Sequence, residues 1–151
     1  MAAERRHLYG HNDAHYSGAP EKEQLFLIEE FDISPRPPLA DHRLFSFLKG
    51  EIHGVSESEL EQAVLNITTK SSKGGTWEGS KKFAEFPQIV VRQEQQYSKN
   101  LKPGMNEVIG DIVLPSIWLP TATYSFNMEA KLADGRTLFC FEFEYYLEGD
   151  L

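Results

Sequence analysis

The chain has one cysteine, Cys140, in 151 residues, so no intrachain disulfide can form and a disulfide-stapled scaffold is excluded. No stretch approaches the ~18 consecutive apolar residues of a membrane-spanning helix. Basic residues are scarce, 15 Lys and Arg against 23 Asp and Glu, and the net charge is −8. Sequence-independent affinity for nucleic acid comes from Lys and Arg displacing counterions, so DNA, RNA and anionic membrane surfaces are poor partners for this chain. Its short basic pairs, Arg5-Arg6 and Lys81-Lys82, read as solvated surface. There is no Gly-rich phosphate loop, no serine elbow and no paired cysteines, which leaves nucleotide binding, serine hydrolysis and structural zinc without a warrant. The N-terminus, MAAERRHLYGHNDAHYSG, has no apolar core of a secretory signal. With the lone cysteine, this predicts a cytoplasmic protein, or a secreted or endosomal one if the N-terminus has been trimmed.

What the chain does contain is 40% hydrophobic residues, enough for one ordinary core at this length, arranged in short apolar runs broken by turns. Residues 1–22 lack apolar periodicity and are expected to be a flexible tail or a lid, leaving 23–151 as the domain. Strands are predicted over Leu25–Ile33, Leu44–Ile52, Ala63–Thr69, Phe86–Tyr97, Val108–Leu114, Tyr124–Leu132 and Leu138–Leu147. Gly50 marks a bulge or a close approach in the second of these. The prolines of Ser34–Pro38 close the first strand, and Ser56-Glu57-Ser58-Glu59 resembles a helix-capping sequence leading into one helical turn. Ser71–Gly79 is expected to be a loop, with Trp77 either covering a cavity mouth or anchoring its own loop. Pro115 and Pro120 bracket a constrained connection carrying Trp118.

The last two strands carry the clearest pattern. Tyr124, Phe126, Met128, Ala130 and Leu132 alternate with polar residues, and Phe139, Phe141, Phe143 and Tyr145 share one face of the return strand. Asp134-Gly135 between them predicts a tight reversal of strand direction, since both residues can take positive φ. About seven strands and almost no helix make a two-sheet antiparallel β-sandwich. Aliphatic side chains suffice to fill the ~10 Å between two sheets, so a wall of Phe45, Phe47, Phe126, Met128, Phe139, Phe141, Phe143 and Tyr145, with Tyr124, Trp77 and Trp118 beside it, predicts either an aromatic core or an apolar cavity.

Two segments tilt this toward a cavity. Phe31-Asp32-Ile33-Ser34-Pro35-Arg36-Pro37-Pro38, followed by Leu44-Phe45-Ser46-Phe47, and Val113-Leu114-Pro115-Ser116-Ile117-Trp118-Leu119-Pro120-Thr121-Ala122-Thr123-Tyr124, followed by Asp134-Gly135-Arg136-Thr137-Leu138-Phe139-Cys140, resemble the two ends of ML (MD-2-related lipid-recognition) domains. The resemblance runs over residues 25–147 in order. It implies an immunoglobulin-like sandwich whose sheets part to admit a sterol, fatty acid, phospholipid or similar hydrophobe, as in sterol carriers and phosphatidylglycerol/phosphatidylinositol transfer proteins. Secreted members tie the terminal strand to an N-terminal segment through a disulfide, whereas Cys140 has no cysteine to join.

Other chemistries are sparse. Glu51 and His53, two apart on one strand, would point the same way, and inside an apolar pocket the pair could isomerise or cyclise a hydrophobic metabolite without a cofactor. Asp41-His42 belongs to a turn, and Cys140 has no neighbour in sequence that would stabilise a thiolate. His7, His11 and His15 recur every four residues, but Gly10 between them argues against the helix that a metal site there would need, and no metal is expected. The leading expectation is a binding module for a hydrophobic small molecule or lipid; a cofactor-independent isomerase or cyclase and a sheet-edge protein adaptor are the alternatives.

Overall fold

Two five-stranded antiparallel sheets pack face to face in the computed structural model, which describes residues 6–149. The strands are β1 (His15–Tyr16), β2 (Phe26–Ser34), β3 (Arg43–Ile52), β4 (Val64–Ser71), β5 (Thr76–Lys82), β6 (Ile89–Gln93), β7 (Gln96–Ser98), β8 (Gly104–Val113), β9 (Ala122–Lys131) and β10 (Thr137–Leu147). One sheet has the order β1-β10-β9-β4-β5, the other β2-β3-β8-β6-β7. The sole α-helix among the described residues, α1 (Glu57–Glu61), begins with the predicted capping box: the Ser56 side chain accepts from the Glu59 amide, and the Glu59 carboxylate accepts from the Ser56 amide. Among the described residues no helix is long and apolar enough to cross a membrane.

The all-β sandwich expected from the alternation is what forms, with more strands than the sequence suggested. Ser71–Gly79 is not a loop throughout: β5 begins at Thr76 and pairs with β4 along seven residues. Its sequence, TWEGSKK, hides it, because an edge strand exposed on both faces needs no apolar alternation. The long run predicted over Phe86–Tyr97 folds back on itself at Glu94 and Gln95, both at positive φ (50° and 66°). The reversal expected at Asp134-Gly135 does join β9 to β10, with Gly135 alone of that pair at positive φ, 94°.

In β2 the inward residues change phase, from Phe26 and Ile28 to Phe31 and Ile33. A β-bulge at Glu29 shifts the register against β3 and brings both pairs to the core. Gly50, opposite Ile28, is the close approach suspected from the sequence: a Cβ there would sit 2.1 Å from the Phe26 ring.

The segment expected to be a flexible tail packs against the sandwich from His7 onward. His7 and His15 form an antiparallel bridge, and the backbone amides of Phe31 and Ile33 donate to the carbonyls of Tyr9 and His11. Tyr16 lies opposite Phe141, so this strap joins the edge of one sheet to that of the other. Leu8 and Ala14 are wholly buried, and the buried Asn12 amide donates to the Phe31 carbonyl at 2.6 Å while its oxygen accepts from the Ala14 amide at 2.8 Å.

Candidate functional site

A cavity of about 200 Å³ lies between the sheets. From the strap-side sheet come Leu65, Ile67, Phe126, Met128, Phe139 and Phe141; the facing sheet contributes Phe31, Ile33, Leu44, Leu48, Val108 and Ile112. The aromatic wall is continuous along β10. Phe139, Phe141 and Phe143 stack at 5.5 and 6.3 Å between successive ring centroids, and Phe143 also stacks on Phe126 across the strand pair at 5.3 Å. Such a ladder holds its own shape, because offset aromatic contacts favour fixed ring orientations.

Ser46, Thr69 and Tyr145 are the lining residues that carry a side-chain oxygen; among the described residues none with a carboxylate, imidazole, ammonium or thiol lines the cavity. The Tyr145 hydroxyl is the only buried side-chain nitrogen or oxygen among the described residues without a hydrogen bond of regular geometry, and Asp13 is its polar neighbour. Burial pushes its phenol up, reinforced by the neighbouring Asp13 carboxylate, so the group is a proton donor over the whole physiological range.

The structure sorts the sequence-derived site residues into three sets. Phe126, Met128, Phe139, Phe141, Phe143 and Tyr145 line the cavity. Tyr124 is fully buried in an adjoining cluster with Ala122, Phe126 and Leu147, its hydroxyl donating to the Pro120 carbonyl. Trp77, opposite Thr69 on β5, shares the inner side of that sheet and comes within 6.4 Å of the Tyr124 ring, half exposed at the open edge. Phe45, Phe47 and Trp118 are elsewhere.

On β3 the phase is the reverse of the expectation: Leu44, Ser46 and Leu48 face the cavity. Phe45 points outward under the Arg43 guanidinium, 4.9 Å from its ring, with Phe47 beside it on the outer face. Two alternations compete in that strand, and the one ending in Gly50 and Ile52 wins because the other continues into Lys49, Glu51 and His53. Trp118 is 72% exposed at the tip of the Pro115–Pro120 connection. Asp41, from the turn after the proline-rich segment, ties that connection down by accepting from the Ser116 amide and hydroxyl at 2.9 and 2.6 Å.

Glu51 and His53 do pair, Oε1 to Nε2 at 2.9 Å, but on the solvent side of β3, away from the cavity. The three histidines do not share a helix; His7 and His15 meet edge to face at 5.4 Å across the strap.

Sequence reasoning missed the residues that hold the strap. Gln24 is buried with its oxygen accepting from the Cys140 amide at 3.0 Å and its nitrogen donating to Ala19 O at 2.9 Å and to Ser17 O and Cys140 O at 3.3 Å. Ser17 Oγ lies 3.2 Å from Cys140 Sγ, and burial pushes that thiol up. Nothing in a lone Gln or Ser signals these contacts.

Together these features define the class: a two-sheet antiparallel β-sandwich with an aromatic interior that encloses an apolar space. No protein-family model matches the chain, and no curated protein matches its sequence.

Proposed function

We propose that the chain binds an apolar small molecule between its sheets and acts as a carrier, in the manner of an ML domain. The observation that carries this is the cavity itself, about 200 Å³ of space walled by aliphatic and aromatic side chains in a domain where close packing is the rule. It is larger than an apolar cavity of about 150 Å³ that stays dry and takes up benzene. A ring or short chain fits as the sheets stand; a sterol or a diacyl lipid requires them to part. The meeting of Ser17 with Cys140 supports the finer reading, since it joins the N-terminal segment to the terminal strand where the resemblance implies a disulfide.

Burying ~150–250 Å² of ligand surface at ~25 cal/mol per Å² gives ~4–6 kcal/mol, which corresponds to dissociation constants of roughly 1 mM to 40 μM for a ring-sized probe. Native mass spectrometry of the purified protein, with extraction of whatever accompanies it, tests the proposal together with the variant Ile112→Phe, which fills part of the cavity. Co-purification of a hydrophobe that Ile112→Phe no longer holds is the expected result. Retention of the same molecule at the same occupancy by the filled variant, or no uptake of any hydrophobe supplied, would overturn it.

A further inference from the structure

We propose that the cavity is entered over Gly79 on the edge strand β5, and that its ligand is a single-chain carboxylate whose tail fills the cavity while its head stays at the rim beside Lys81. This deepens the carrier reading and rests on it. The strap closes one edge of the sandwich, where the Phe31 ring packs against Phe141 and Phe143 at 4.8 and 6.0 Å. The other edge is open. Thr69, Ile67 and Leu65 of β4 line the cavity, and their partners on β5, Trp77, Gly79 and Lys81, therefore share that inner face. All seven β5 residues are nonetheless exposed, so the facing sheet does not cover this strand, and β4 is where the wall gives way to solvent. Across the cavity the second sheet ends at Ile89, because β7 pairs with β6 only at Val91, Arg92 and Gln93. Ile67 and Ile89 are accordingly only half-buried, though both belong to the wall.

Gly79 is the gap in that row. Its φ lies outside the left-handed region, and a Cβ built there would meet nothing within 4 Å. Neither conformation nor packing within the chain calls for glycine at a position where it weakens a strand, whereas the close passage of a ligand does. A side chain there would stand over Ile67, in the way of anything entering. The wall carries no charged side chain, and about 200 Å³ is too little for a whole lipid, so a charged head remains outside. The rim it meets is positive. Lys81, opposite Leu65, makes no ion pair among the described residues, and its Nζ stands 6.0 Å from the ring centre of Phe86, in the segment leading into β6. The acid of β5, Glu78, is on the outer face with Thr68 and Glu129, and Glu85 accepts from the Lys82 amide at 2.8 Å. Lys99 is already engaged, donating to the carbonyls of Phe86 and Ile89 at 2.8 and 2.5 Å. One available cation matches one negative charge, a carboxylate rather than a phosphate monoester close to two charges.

The experiment is an NMR titration of the full chain with decanoate and decanol, read for affinity and, from line shapes, for association rate, on the wild type, Gly79→Phe, Ser80→Phe and Lys81→Met. Ser80, opposite Asn66 on the outer face, is the control for the same ring placed one residue along. Gly79→Phe should slow association of both probes roughly tenfold, and Ser80→Phe by less than about twofold. Lys81→Met keeps the stem and drops the charge; the ratio of decanoate to decanol affinity should fall about two- to fivefold, the range of an exposed ion pair. Equal rates in Gly79→Phe and Ser80→Phe would overturn the entry over Gly79. An unchanged ratio in Lys81→Met would overturn the carboxylate head, and either result would leave the cavity reading standing. Failure of decanol to bind the wild type would overturn the cavity reading and the entrance with it.

Discussion

Two tyrosines directly opposite each other on β9 and β10 should respond to the same substitution with opposite signs. Tyr145→Phe keeps the ring and its contacts and deletes a buried hydroxyl that makes no hydrogen bond of regular geometry. Desolvating an unpaired hydroxyl costs ~1–3 kcal/mol, so the ligand-free protein should gain about 1–2 kcal/mol in stability. At ~2–4 °C per kcal/mol for a chain of this size, Tm should rise by roughly 2–8 °C. Tyr124→Phe deletes a hydroxyl that donates to the Pro120 carbonyl, and it should lose about 1 kcal/mol, or ~2–4 °C. Urea titration and thermal melts followed by circular dichroism, on protein stripped of lipid by organic extraction and refolding, measure both. Matched denaturant slopes would show that only stability has changed. A loss of 1 kcal/mol or more in Tyr145→Phe would refute the reasoning, because it would mean that the hydroxyl is satisfied in the free protein, the Asp13 carboxylate being the nearest candidate.

Other perturbations test separate parts of the fold. Gln24→Leu leaves the Cys140 amide and several carbonyls without their partner and should cost ~2–4 kcal/mol by urea denaturation, whereas a change within 0.5 kcal/mol would show that the strap is held by other contacts. Ser17→Cys should form a disulfide with Cys140 under mild oxidation, seen as a 2 Da mass loss and a rise in Tm, since closing so long a loop is worth up to about 4–5 kcal/mol; a thiol pair that stays reduced would contradict the placement of Ser17. Phe141→Ala should cost ~3–5 kcal/mol and Phe45→Ala less than about 1 kcal/mol, because only the first ring is in the interior; equal costs would reverse the face assignment of β3. Glu107 is gripped at both carboxylate oxygens by Arg92, at 2.6 and 3.0 Å, which lowers its pKa from the ordinary 4.5. That stabilisation is present above pH ~4.5 and lost as pH falls through the lowered folded value. Glu107→Gln should therefore melt below the wild type at pH 7 and converge with it once the pH is below the lowered folded value; a gap that does not narrow as the pH falls would assign the effect to packing.

How far the sequence could be read depended on how the chain meets water. The β9 and β10 alternation was plain because one face of those strands is interior and the other meets solvent or polar neighbours, so side-chain type reports the pleat directly. The same logic misled on β3, where Phe45 and Phe47 outrank Leu44 and Ser46 in apolar surface but share their face with Lys49, Glu51 and His53. β5 left no periodic trace because it has a partner on one side and solvent on both faces. The ligand wall was therefore half legible: the β9 and β10 residues were identifiable, and Leu65, Ile67, Val108 and Ile112 were not singled out, since buried aliphatic residues look alike whether they border a void or another side chain.

By itself, then, the sequence determined an all-β sandwich with an aromatic interior, because period-two patterning and turn chemistry are local and a strand must bury its apolar face against something. Only the tertiary structure decided that residues 7–16 form a strap, that Cys140 meets Ser17, that Glu51 and His53 pair on the outside, and that the Tyr145 hydroxyl is buried without a hydrogen bond of regular geometry. Each of these depends on groups distant in the chain, Ser17 and Cys140 being 123 residues apart. The packing of one sheet against the other sets such distances, and no local preference encodes them.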